Sequence, residues 1–122
     1  MPDFEDLRMI DLLKKFRADV VNIQEERSAK LLKPASKDLQ DVYNFHITAD
    51  KTFIRIENNL KNLYTSFNYA AVIVNDALKK KRLERESMLL LDECLEVMIK
   101  CCDVMIAELG KPPAPENKKK KK

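Results

Sequence analysis

Residues 88–109 read MLLLDECLEVMIKCCDVMIAEL, and the reading of this stretch decides the fold. Its spacing is helical. Met88, Leu91, Leu95, Met98, Cys102, Met105 and Leu109 recur at alternating intervals of three and four, which at ~100° per residue puts them on one face. A second apolar row, Leu90, Cys94, Val97, Cys101 and Val104, runs beside the first. Asp92, Glu93, Glu96, Lys100 and Asp103 gather within about 100° of the circumference, with Glu108 somewhat outside that arc. One neighbouring helix does not bury both apolar rows, so this helix calls for further cover, from this chain or from another protein.

The same phase extends backwards through Leu39, Val42, His46, Ala49, Phe53, Ile56, Leu60, Leu63, Phe67, Ala70, Val74 and Ala77, with neither Gly nor Pro to interrupt it. Two architectures fit. One is a rod from Ser36 to Leu109, roughly 110 Å long. The other folds back between Lys79 and Ser87, where KKKRLERES places Lys81 and Glu84 in the seam. A coiled-coil rod needs only a narrow seam, and leaving the second row wet forfeits ~1.5–3 kcal/mol for each large side chain. The fold-back is the better reading.

Before that stretch, Met9, Leu13, Phe16, Val20 and Ile23, widened by Leu12, predict a first helix from about Asp3 to about Leu32. Asp3, Glu5 and Asp6 suit the positive end of its dipole. Pro34 is expected to stop it and Ser36 to cap the next helix. Thr48 and Asp50 in FHITADK suggest a further break, giving a short helix from Ser36 to about Phe45 and a long one from about Ala49 to Lys80. Gly110 is expected to close the last helix in a left-handed conformation, with Pro112 and Pro113 behind it. The fold class is therefore all-α: a small antiparallel bundle of three long helices and a short connecting one over residues 1–110, followed by a disordered Pro- and Lys-rich tail over 111–122.

Composition agrees. Of 122 residues, 45% are hydrophobic and 35% charged, with one Gly and no Trp, a balance that favours long helices over short strands. Net charge is +3, and Lys118, Lys119, Lys120, Lys121 and Lys122 supply more than all of it. The body is not a basic nucleic-acid footprint. MPDFEDL has neither the apolar run of a secretory signal nor the character of a mitochondrial presequence, and no uncharged apolar run approaches the ~20 residues that span a bilayer. Cys94, Cys101 and Cys102 share one predicted helix, and residues seven apart on it are ~10 Å from each other, too far for a disulfide. A reducing compartment, cytoplasmic or nuclear, is expected.

Chemistry-bearing constellations are scarce. Three Cys and His46 have no CxxC or HxxxH spacing, so they do not read as a zinc site; no cofactor is expected. His46, the single imidazole, lies on the apolar stripe and reads as a core residue with one satisfied nitrogen rather than a general base. Gly110 alone cannot build a phosphate loop. An enzyme is not expected. Lys51, Arg55, Asn58, Asn62, Thr65 and Tyr69 form a polar stripe roughly opposite the core residues of their helix; Asn58, Asn62, Thr65 and Tyr69 are candidates for a hydrogen-bonding rim. Leu90, Val97, Val104, Met98 and Met105 are candidates for a partner interface, the methionines because they adapt to irregular surfaces. The expected function is a non-enzymatic interaction subunit that packs into a larger assembly or self-associates. The alternative is a nucleic-acid-associated factor whose lysine tail contacts phosphates.

Overall fold

The computed structural model describes residues 2–111; the expected tail beyond Lys111, Lys118–Lys122 included, lies outside them. Among the described residues there are four α-helices and no strand. Asp3 opens α1 (Phe4–Glu26): its carboxylate accepts the Asp6 N–H at 2.8 Å while Asp6 accepts the Asp3 N–H at 3.3 Å. This reciprocal pairing satisfies two of the donors that a helix start leaves without partners. α1 ends well before Leu32, because Arg27 turns left-handed with φ 54° and its guanidinium pairs with Asp92 at 2.7 Å.

Ser28 then caps a 3₁₀ turn, Ala29–Leu31, and the chain passes straight into α2 (Leu32–Thr48). Pro34 sits in the first turn of α2, where its missing N–H has no intrahelical acceptor to lose. It starts a helix instead of stopping one, and Ser36 is not the cap. The connecting helix is accordingly not short: it has 17 residues.

The break after α2 is longer than the sequence suggests, and the long helix begins at Glu57 rather than Ala49. Residues 49–53 leave the helix, a 3₁₀ turn spans Ile54–Ile56, and α3 runs Glu57–Lys80. The reason lies on α1. Glu5 accepts the backbone N–H groups of Asp50 and Lys51 at 2.9 and 3.1 Å, and Lys51 Nζ reaches Asp3 at 2.6 Å and Asp6 at 2.8 Å. Donors that would have continued a helix are committed to another element.

Lys81, left-handed at φ 59°, ends α3, and the turn to α4 (Arg85–Gly110) falls inside the Lys79–Ser87 window. Gly110 is not a left-handed stop: it is the last helical residue, and extended Lys111 closes the helix.

α1 packs against α2 and α4, and α3 against α4. The pairs Arg17–Asp103, Gln24–Glu96 and Arg27–Asp92 climb α1 while descending α4. Arg55, in the 3₁₀ turn that leads into α3, meets Glu108 at the end of α4. Met9, Leu13, Phe16, Val20, Leu60, Leu63, Leu95, Cys102 and Met105 form one buried core, with Phe16 and Phe67 edge to face at 5.9 Å. Burial of each such aliphatic or aromatic side chain contributes ~1.5–3 kcal/mol.

Candidate interaction surface

Which neighbour borders each edge of α4 follows from its polar contacts. Asp92, Glu96 and Asp103 reach α1. On the other edge, Glu108 meets Arg55 of the turn leading into α3 at 3.4 Å, and Ser87 shares a small hollow with Ile73, Asp76 and Lys80. Ser87, Cys94, Cys101 and Glu108 are seven apart and line this α3 edge. Leu90, Val97 and Val104 each precede one of the last three by four residues, so they sit beside them on the outside of the α3–α4 seam. They are 54%, 37% and 52% exposed.

Met98 and Met105 do not belong to that surface. They are 1% and 0% exposed, within the core, because they share the phase of Leu91 and Leu95, and no partner reaches them in this fold. Cys101 and Cys102 are buried and Cys94 half-buried, all three free. Burial pushes the Cys102 thiol up to about 12 and raises Cys94 and Cys101 as well, which keeps them in the unreactive thiol form.

The polar stripe of α3 borders the same seam. Asn62, Tyr69 and Asp76 are spaced by seven on α3, Asp76 lies next to α4, and Arg55 in the turn before α3 meets Glu108 of α4. Asn62 and Tyr69 therefore face the outside of the seam opposite Leu90, Val97 and Val104, with Asn58 and Thr65 one step further out; all four are exposed. Lys51 is removed from the stripe by its bonds to Asp3 and Asp6. Those bonds outweigh its partial burial and raise its pKa, and the Lys51 ammonium holds Asp3 below the usual carboxylate range.

His46 is half-buried rather than fully in the core. Its Nδ1 lies 3.2 Å from the Tyr64 hydroxyl, and its ring stands near those of Phe53 and Tyr64. Burial first, and the neighbouring Tyr43 second, raise the Tyr64 pKa. The residues that line a hollow beside His46 include no cysteine and no nucleophile paired with it. Among the described residues no group of three His, Cys, Asp or Glu is placed to hold a metal ion, and no helix is long and apolar enough to cross a membrane.

Two features escaped the sequence. One is the clamp of Asp3, Glu5 and Asp6 on the 50–51 loop. The other is a carboxylate pair: Asp19 on α1 and Asp38 on α2, with Lys15 Nζ 3.8 Å from Asp38. Asp19 Oδ2 is buried with no hydrogen-bond partner among the described residues. Burial, and then the facing Asp38 carboxylate, push Asp19 up to about 7. No family model, curated protein or solved structure matches the chain.

Proposed function

We propose that this protein is a non-enzymatic interaction subunit: an antiparallel helical bundle that offers the outside of its α3–α4 seam to a helix of another protein or of a second copy. The observation that carries the reading is the row Leu90, Val97 and Val104, three aliphatic side chains a heptad apart and about half exposed. Such a row is the pattern that an amphipathic helix uses to pack against a partner. Asn62 and Tyr69 across the seam supply the polar border and the exposed aromatic side chain that interfaces favour.

The test is the double substitution Val97→Asp and Val104→Asp. Both positions face solvent in the isolated chain, so the variant keeps its helical circular dichroism. Each carboxylate would be desolvated without a counter-charge in a complex, so association is lost. Light scattering reads self-association, and affinity purification followed by mass spectrometry reads partners. A wild-type chain that is strictly monomeric and retains no partner would overturn the proposal, as would a double variant that associates like the wild type.

A further inference from the structure

At the far end of the molecule, α3 and α4 run on towards their turn while α1 has already ended at Arg27. Between them lies a cleft of about 790 Å³, walled by α3, the 81–83 turn, the start of α4 and the Arg27–Ala29 connection. Its floor is dry: Ile23, Leu91 and Leu95 are buried. Its lip is apolar and wet, with Leu78, Leu83 and Met88 exposed. The volume falls within the ~300–1,000 Å³ of small-molecule sites, which are mostly apolar with a few placed polar groups.

The polar groups here have one sign. Every charged side chain lining the cleft is a cation: Arg27, Lys81 and Arg82. Arg27 holds Asp92 at 2.7 Å and Arg82 holds Glu84 at 3.1 Å, while Lys81 makes no ion pair among the described residues. An apolar floor beneath a mouth whose uncompensated charge is the Lys81 ammonium fits an acyl chain with an anionic head. A partner helix, ~10–12 Å across, needs a groove open along its length, whereas this cleft is crossed by the turn on one side and the α1–α2 connection on the other. The Lys118–Lys122 stretch has the wrong charge for it.

We propose that this cleft binds a fatty acid, the chain against Leu91, Leu95 and Ile23 and the carboxylate at Lys81. The site is separate from the outer face of the α3–α4 seam and does not depend on its role. Since the chain has no tryptophan, Leu83→Trp places a single tryptophan at the lip, excited selectively at the red edge of the indole band. Octanoate, decanoate and dodecanoate are titrated below their micelle concentrations, with 1-dodecanol as the uncharged control. Affinity is expected to rise about fourfold per added methylene. Lys81→Glu, an exposed change, should weaken dodecanoate about fivefold or more and leave dodecanol unaltered. Ala77→Phe, which fills the cleft, should abolish both while circular dichroism stays helical. Val97→Asp with Val104→Asp should leave fatty-acid binding intact, so loss of one reading is distinguishable from loss of the other. Absence of saturable dodecanoate binding overturns the proposal, as does a Lys81→Glu chain that binds dodecanoate as tightly as its parent.

Discussion

Asp19 and Asp38 bring two carboxyl groups together where α1 meets α2, and burial with the facing charge lifts Asp19 to about 7. Its ordinary value is 3.8, so between these limits the folded chain binds a proton that the unfolded chain has released. Stability from this group is complete below about 4 and is lost as pH rises through about 7. The chain should therefore resist urea better at pH 5.5 than at pH 8. Asp19→Asn, which keeps a donor facing Asp38 and removes the repulsion, should flatten that difference and stabilise the chain at pH 8 by roughly 1–2 kcal/mol. Equal urea midpoints for the wild type at the two pH values would count against this account. Neither this pair nor the Lys51 clamp was legible in the sequence. Lys51 and Asp6 are 45 positions apart, and no local spacing links them.

Among the elements, the helix ends teach the most. The α3–α4 turn was legible because Lys81 and Glu84 put charge into an apolar seam. The end of α1 was not: Glu25, Glu26, Arg27 and Ser28 offer no glycine, yet Arg27 turns left-handed and its side chain pairs with Asp92 on α4. Pro34 misled for a local reason, since proline suits a helix's first turn as well as the residues beyond its end. Two left-handed residues, Arg27 and Lys81, lack the glycine that such positions favour. Lys81 is exposed and free of ion pairs among the described residues, so Lys81→Gly should relieve its backbone strain and raise stability by about 1 kcal/mol. Thermal melts of the two chains measure it; a lowered melting temperature would show that the lysine side chain contributes more than the strain removes.

At the scale of the whole molecule, the phase of the apolar residues located the core well. Leu60, Leu63, Phe67, Leu91, Leu95 and Leu109 are buried where their spacing put them. Met98 and Met105 follow the same phase into the core, and the adaptability that suits methionine to a partner surface counts for less than that phase. Burial is uneven along the bundle. The core-facing row of α4 is closed in from Leu95 to Met105, while Leu78, Leu83, Met88, Leu89 and Leu90 around the turn stay exposed. Amide hydrogen exchange should follow this gradient, slowest in α1 over 9–20 and in α4 over 95–105, fastest over 76–90. Uniform protection along α4 would mean that the exposed end is covered in solution.

The pairing of α1 with α4 also bears on how the chain is made. Arg17 and Asp103 meet across 86 positions, so the α4-facing side of α1 has no cover until α4 has left the ribosome. At ~5–20 residues per second, Met9, Leu13, Phe16 and Val20 wait several seconds for Met98, Cys102 and Met105. During that interval α1 and α2 can pair alone, joined only by a short connection, yet one apolar flank of α1 stays wet. During synthesis α1 therefore carries a bare apolar side, the kind of surface on which chaperones act, and a pause before α4 emerges would prolong that exposure.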